Sequence, residues 1–252
     1  MDPDESFAIL ARVWRRVSMS FLRDLILPHF FVFGSPLRRL PNNSAIIRFL
    51  IGFALCGVVF LFASREEPSM IALDPLQMRS ATTFALTLVS LLVAKLVVGS
   101  HWPSVGLRPV RAWNRREALY AIQVFPVAAV AFAYLFRAQL ADMIEANGVT
   151  GFIFLNLTFG LTWGFYQEFV YRGLLQNALA SSVGPIAGLL IANIAYTFGP
   201  LHFDLYDAAD PQKMMLFAPI FGIGLIFGLI YQRSGNLWLP AILHGLWPLN
   251  MA

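Results

Sequence analysis

The sequence LTWGFYQEFVYRGLLQ, residues 161–176, places Gln167, Glu168 and Arg172 inside an apolar and aromatic run. In a helix, Glu168 and Arg172 lie on one face at the i, i+4 spacing, and Gln167 projects about 100° away. Ionisable side chains are costly at membrane depth, so they tend to mark function where they occur there. The spacing predicts a Glu168–Arg172 pair, either as a structural ion pair at the membrane surface or as part of an active centre.

The composition assigns the chain to the integral membrane proteins. Of its 252 residues, 58% are hydrophobic and only 13% are charged, which is not typical of a soluble domain of this length. The net charge of +4 comes from basic residues clustered between apolar runs, so membrane orientation explains it and no nucleic-acid partner is expected. Cys56 is the only cysteine, which excludes an intrachain disulfide and a thiolate-based metal site.

The order of the apolar runs predicts an all-α, polytopic membrane helix bundle. Residues 1–43 form an N-terminal segment and linker, in which residues 5–33 have the pattern of an amphipathic helix lying in the membrane interface. Residues 44–252 form a membrane-embedded domain with about seven hydrophobic helices. The predicted runs are 46–63, 80–99, 117–136, 150–171, 183–201, 214–231 and 237–250. The last run is short for a span, which favours a tilted, re-entrant or internally packed helix.

The distribution of Lys and Arg predicts a multi-pass protein with a cytoplasmic N-terminus. In the seven-helix topology, thirteen basic residues fall on the N-terminal side and four on the other side. Residues 108–116 lie on the basic side, whereas residues 204–213, with three aspartates, lie on the opposite side. Cytoplasmic loops carry such an excess of positive charge, so this orientation is the favoured one.

Two histidines further along the chain, His202 and His244, also lie in apolar surroundings. A lone histidine in an apolar helix is usually a packing residue, but two histidines and a buried carboxylate together indicate a reactive centre. Peptide hydrolysis needs a base that activates water, and it is helped by a metal ion or by donors for the oxyanion. The sequence contains neither an HExxH helix motif nor a GxSxG elbow, so a thermolysin-like zinc helix and a serine nucleophile elbow are both excluded.

Three motifs in order resemble those of the CPBP family, which includes CAAX-prenyl endopeptidases and bacteriocin-processing or Abi proteins. They are QExxxR at residues 167–172, FxxxH at residues 198–202, and RSGNLWLPAILHG at residues 233–245. The resemblance covers about residues 105–250, opening with GLRPVRAW. It implies an intramembrane endopeptidase that acts near the C-terminus of a lipidated or membrane-anchored protein.

The resemblance also implies roles for individual residues. His202 and a carboxylate would activate water, and Arg172 would anchor Glu168. His244 would bind the oxyanion or a metal, and Phe198 and Asn250 would contact the substrate. One divalent metal such as zinc is an expected cofactor. Its expected ligands are Glu168, His202 and His244.

The sequence departs from the family pattern at two positions. The family's usual first motif is EExxxR and its third is HxxxN or HxxxD, so Gln167 replaces the first glutamate and Pro248 replaces the closing Asn or Asp. Asn250 lies two residues beyond Pro248. An amide cannot act as a general base near neutral pH, although it keeps the shape and hydrogen-bonding reach of a carboxylate.

Three explanations of Gln167 compete. The chain is a natural pseudo-enzyme, or the glutamine was introduced to trap a silent enzyme, or Glu168 has taken over as the base. The last explanation requires a rotated or kinked helix, because Glu168 lies on a different face from Gln167. The alternative function is therefore a catalytically silent CPBP-like membrane protein with an immunity or substrate-binding role. A small ion-coupled transporter is a third hypothesis, but no inverted repeat supports it.

Overall fold

The computed structural model describes residues 36–63, 75–206 and 211–246, and all regular elements in these ranges are helical. The all-α prediction is therefore confirmed for the described part of the chain. The predicted interfacial helix at residues 5–33 lies outside the described residues, and the boundary between residues 1–43 and 44–252 stays a prediction.

Ten α-helices follow one another along the described chain. They are α1 (Asn43–Ala63), α2 (Pro75–Val98), α3 (Arg115–Leu135), α4 (Arg137–Leu155), α5 (Leu161–Glu168), α6 (Asn177–Ser182), α7 (Pro185–Phe198), α8 (Pro211–Met215), α9 (Phe217–Ser234) and α10 (Trp238–Gly245). Short 3₁₀ helices lie at Gly99–Val105, Val110–Ala112 and Pro200–Leu205. Two π-helical segments, Asn156–Gly160 and Phe169–Gln176, join α4 to α5 and α5 to α6.

The predicted count of seven hydrophobic helices is not reached among the described residues. Five helices are long and apolar enough to cross a membrane. They are Asn43–Ala63, Ser80–Val105, Arg115–Leu135, Pro185–Phe203 and Lys213–Ser234. A sixth span results if the pair Arg137–Phe154 and Thr158–Ser182, bent by 59°, counts as one. The seventh predicted run forms only the eight-residue α10, which is shorter than the roughly 20 residues that a span requires.

The outer faces of the long helices are apolar and exposed. Leu96 on α2, Val127 on α3 and Ile186 on α7 are each about 70% exposed. Such surfaces suit contact with lipid tails, whereas the interior of the bundle carries the polar groups that lipid would not satisfy. The described helices therefore belong to an integral membrane protein. Lys95 is exposed one turn before the end of α2, where its long side chain can reach the membrane surface.

The second π segment forms the centre of the bundle, because all eight of its residues are buried. Leu174 packs against α1 at Gly52. On the other side, Arg172 Nη2 donates to the Gly224 carbonyl at 2.8 Å, and Gln176 Nε2 donates to the Gly228 carbonyl at 2.9 Å. These two bonds, one turn apart, fix the segment against α9.

A glycine contact brings α10 against α5. A Cβ on Gly164 would overlap the backbone nitrogen of Gly245, so the two helices cross with their backbones touching. Small residues permit this close approach between membrane helices. The rings of Phe165 and Trp238 pack beside it, with centroids 5.1 Å apart. Through this contact α10, although short, is held inside the bundle.

The loop before α3 anchors the start of α10. Arg108 forms an ion pair with the buried carboxylate of Glu117 and donates to the Ser234 carbonyl at 3.1 Å. Glu117 also closes a capping box with Asn114 at the start of α3. The backbone N–H of Leu237 donates to the Gly106 carbonyl at 3.0 Å, which ties this loop directly to α10.

The sequence GxGxxxG at residues 222–228 predicts a helix-packing face, and the structure confirms this for two of its three glycines. A Cβ on Gly224 would overlap Asn193 Oδ1 of α7, and one on Gly228 would overlap a methyl of Leu189. Gly222 is exposed, and a Cβ there would meet no atom within 4 Å. Gly222 was therefore wrongly included in the packing face.

Alanine substitution on α9 provides a matched test of this packing. We expect Gly224→Ala to lower the free energy of unfolding by about 1–3 kcal/mol, because an added methyl forces α7 and α9 apart. Gly222→Ala, two residues away on the same helix, should leave it unchanged or slightly higher. Reversible unfolding of the purified protein in detergent measures both. Equal losses for the two variants would contradict the packing described.

Candidate functional site

The buried carboxylate of Glu168 lies against His244. Glu168 is fully buried at the end of α5, and its Oε1 lies 2.8 Å from His244 Nδ1 at the end of α10. Because a carboxylate accepts hydrogen bonds, Nδ1 carries the proton and donates it to Glu168. In the neutral ring the lone pair is then on Nε2. A carboxylate that fixes a histidine in this tautomer is the arrangement of a general-base pair.

Arg172 balances the charge of Glu168. Its Nε lies 3.3 Å from Glu168 Oε2, one turn along the helix as the i, i+4 spacing predicts. The two atoms are not aligned as a hydrogen bond, so the contact is an ion pair. The guanidinium stays in place by other means, because Nη2 donates to the Gly224 carbonyl and the group lies 4.2 Å above the centre of the Tyr196 ring.

Tyr196 connects the charged pair to both histidines. Its hydroxyl lies 3.4 Å from His244 Nε2, and its ring meets the His202 ring edge-on with centroids 5.1 Å apart. The sequence prediction missed this residue. A signal was present, because Asn193 and Tyr196 are polar side chains one turn apart in the apolar run that becomes α7. Both are buried, as polar groups facing a reactive centre would be.

His202 joins the Glu168 cluster, which comprises Glu168, Arg172, Tyr196 and His244, because the helix is interrupted before it. The sequence prediction continued the helix to residue 201, but α7 ends at Phe198 and Gly199 is extended. His202 then lies in the 3₁₀ turn Pro200–Leu205, where its Nδ1 is 3.0 Å from the Tyr196 carbonyl. Since a carbonyl only accepts, Nδ1 is the donor and Nε2 carries the lone pair in the neutral ring. His202 is only partly buried, so it lies on the open side of the cluster.

Gln167 lies beside Glu168 but does not share its contacts. It is 3% exposed, and its Oε1 has no hydrogen-bond partner among the described residues. Other buried atoms near it also have none there, among them Glu168 Oε2, Arg172 Nη1, Asn193 Oδ1 and Thr197 Oγ1. Buried polar atoms of this kind usually bind water or a ligand. These atoms could therefore form hydrogen bonds with a molecule bound at the centre.

Of the two residues expected to contact the substrate, Phe198 and Asn250, the structure describes only Phe198. Phe198 is 43% exposed, and its ring packs on Phe217 and Phe221 of α9 with centroids 5.1 Å and 6.4 Å away. It does not join the Glu168 cluster, because the end of α7 turns it outward. Asn250 lies outside the described residues, as does Pro248.

The expected metal ligands Glu168, His202 and His244 do not form a ligand set in this arrangement. Both oxygens of Glu168 face protein cations or donors, and His202 Nδ1 is bonded to a backbone carbonyl. Among the described residues, no group of three His, Cys, Asp or Glu side chains is close enough to hold a metal ion. As placed here, the three side chains do not form a zinc site, and the expected metal stays a prediction.

Residues 149–249 match the model of the type II CAAX prenyl endopeptidase Rce1-like family. The match covers about two fifths of the chain and agrees with the CPBP resemblance of the motifs, which is thereby confirmed. Neither the curated proteins nor the solved structures contain a significant match.

The Rce1-like stretch contains the whole cluster around Glu168. It runs from α4 to the end of α10 and includes all three motifs. The helices before it support the cluster from outside. In α1, Phe53 packs against Tyr171 of the second π segment, and Phe60 packs against Tyr166 of α5.

A double-mutant cycle tests the ion pair of the cluster. We expect Arg172→Met to lower the free energy of unfolding by about 3–5 kcal/mol, because it leaves the Glu168 charge buried without its cation. Glu168→Gln combined with Arg172→Met should cost clearly less, because no buried charge then remains. Unfolding in detergent measures all four proteins of the cycle. Strictly additive losses would show that the two side chains do not interact.

Proposed function

We propose that this protein is an intramembrane endopeptidase that hydrolyses a peptide bond near the C-terminus of a lipidated or membrane-anchored protein. The observation that carries the proposal is the buried contact of 2.8 Å between Glu168 Oε1 and His244 Nδ1. It pairs a carboxylate with a histidine at the centre of an apolar bundle, where ionisable groups are costly and tend to mark function. The Rce1-like match supports the same class of reaction.

In the proposed reaction His244 is the base. Water gives a proton to His244 Nε2 as its oxygen attacks the peptide carbonyl, and the imidazolium that forms is stabilised by Glu168. His244 then returns the proton to the leaving nitrogen, so the peptide bond breaks and the enzyme regains its starting protonation state. Arg172, 3.3 Å from Glu168 Oε2, holds the Glu168 side chain in place throughout.

His202 and Tyr196 complete the proposed site. Water enters beside His202, the partly exposed ring, and donates a hydrogen bond to its Nε2, which orients the attacking oxygen. The Tyr196 hydroxyl, 3.4 Å from His244 Nε2, swings from that nitrogen to the carbonyl oxygen as negative charge develops there. The two histidines thus have different roles, and each contacts Tyr196.

The proposed substrate is a peptide held at the membrane. The cluster lies inside a bundle with lipid-facing outer helices, so a lipid-anchored segment reaches it by moving within the bilayer. The charge bias of the loops favours a cytoplasmic N-terminus, which would place residues 108–116 on the cytoplasmic side.

A silent, substrate-binding protein is the second candidate, and Gln167 favours it. If catalysis requires the first glutamate of the family's EExxxR motif, then Gln167, which replaces it, would bind substrate without cutting it. Two observations favour Glu168 instead. The helix widens into the π segment directly after Glu168, and Glu168 already contacts His244. A catalytic role for Glu168 in place of Gln167 was expected to require a local change of helix geometry, and the π segment is such a change.

Reciprocal substitutions at the two positions separate the candidates. The assay follows cleavage of a quenched peptide that ends in a prenylated cysteine and three further residues, with the protein in liposomes. If Glu168 and His244 form the base, Glu168→Gln should lower kcat by about 10²- to 10⁴-fold, while Gln167→Glu changes it little. If the wild-type protein is inactive and Gln167→Glu creates cleavage, the protein is the silent relative and the proposed mechanism is wrong.

Histidine variants and a chelator serve as controls for the same assay. His202→Ala and His244→Ala should both abolish cleavage with the protein folded and inserted. His101→Ala should be tolerated, because His101 lies in the 3₁₀ turn after α2 and outside the cluster. A metal chelator should leave the rate within about twofold, since the three expected ligands are engaged by protein groups. Loss of activity on chelation that zinc restores would contradict the side-chain mechanism.

A further inference from the structure

A cavity lined by three arginines lies away from the Glu168 cluster. It has a volume of about 300 Å³ and lies between the linker before α1, the ends of α6 and α9, and the start of α7. We call it the basic pocket. Its lining residues are Pro36, Leu37, Arg38, Arg39, Ala180, Ser181, Pro185, Gln232 and Arg233.

Hydrogen bonds tie the linker to the bundle and so form the pocket. The backbone N–H of Leu37 donates to the Gln232 carbonyl at 2.8 Å, and that of Leu40 donates to Ser181 Oγ at 2.9 Å. Ser181 Oγ in turn donates to the Asn177 carbonyl at 2.8 Å. Leu40 is buried, which anchors the linker further. The arginines of the linker are therefore held beside α9 by specific contacts.

The charge of the pocket indicates an anionic ligand. Arg38 and Arg39 come from the linker and Arg233 from α9, and neither Asp nor Glu is among the described residues that line the pocket. Guanidinium groups offer paired N–H donors that match the oxygens of a phosphate. Arg38, Arg39 and Arg233 line one cavity from two parts of the chain, so a phosphate group bound there would meet several such donors.

The surroundings of the pocket indicate that the phosphate belongs to a lipid. Next to the pocket, the turn after α6 and the start of α7 form an apolar outer surface, where Val183 is 53% exposed and Ile186 is 72% exposed. A lipid whose head group lies among the arginines would place its acyl chains on this surface. Basic pockets between membrane helices bind anionic head groups in this manner.

We propose that the basic pocket binds the phosphate head group of an anionic phospholipid. The site is separate from the Glu168 cluster, because Gln232 lies about 12 Å along α9 from Gly224. The proposal is independent of the peptidase activity, since it depends only on the linker, α6, α7 and α9.

Native mass spectrometry of the full-length protein tests the proposal. The detergent-purified protein is offered phosphatidylglycerol or phosphatidylcholine with identical acyl chains. We expect phosphatidylglycerol to be retained preferentially, and Arg38→Gln/Arg39→Gln or Arg233→Gln to weaken its binding about tenfold or more. Arg111→Gln/Arg115→Gln, which removes the same charge from exposed positions outside the pocket, is the matched control and should bind as the wild-type protein does.

Three results would overturn the proposal. The first is equal retention of the two lipids by the wild-type protein, and the second is equal weakening by the pocket variants and the control pair. The third is preferential binding of inorganic phosphate that phosphatidylglycerol does not displace, because the pocket would then be a site for a soluble anion. Circular dichroism and unfolding of each variant show whether it is folded. If Arg38→Gln/Arg39→Gln does not fold, Arg233→Gln, on a different segment, decides the question.

Discussion

A carboxylate buried in an apolar bundle needs partners, and the contacts of Glu168 explain much of the surrounding structure. One oxygen faces Arg172 and the other faces His244, so the charge of the carboxylate is compensated and one histidine tautomer is fixed. Each partner depends on a close helix contact. Arg172 reaches the α9 backbone because Gly224 leaves room for α7, and His244 reaches Glu168 because Gly164 and Gly245 let α5 and α10 touch. The glycines are therefore as necessary to the centre as the charged residues.

The π segment places these groups in register. It begins at Phe169, immediately after Glu168, and continues to Gln176. Arg172 and Gln176 then point towards α9 one turn apart, while Glu168 points towards α10. Widened helical turns are uncommon and occur frequently at functional sites. Here the widening directs neighbouring side chains of one helix to two different partner helices, which suits a reactive centre built between them.

The sequence predicted the parts of the centre that depend on local spacing. The Glu168–Arg172 pair follows from helical periodicity, and the contacts of Gly224 and Gly228 follow from small residues on one face. The position of Tyr196 between the two histidines could not be predicted, because it depends on how α7 and α10 cross. The break at Gly199, which turns Phe198 outward and brings His202 inward, depends on tertiary packing in the same way. Among the described residues the seventh predicted run is not confirmed as a span, because hydropathy does not distinguish α10, buried against α5, from a helix that faces lipid.

The pairing of Glu168 with His244 is tested most directly by finding which ring nitrogen of His244 carries the proton in the folded protein. Nitrogen NMR of protein labelled with ¹⁵N-histidine in nanodiscs distinguishes the two neutral tautomers, and His244→Gln assigns the signal. We expect the proton of the His244 ring on Nδ1, in a hydrogen bond to Glu168, and a changed signal in Glu168→Gln. A proton on Nε2 with Nδ1 bare, or a signal unaffected by Glu168→Gln, would contradict the pairing of Glu168 with His244 and the mechanism that rests on it.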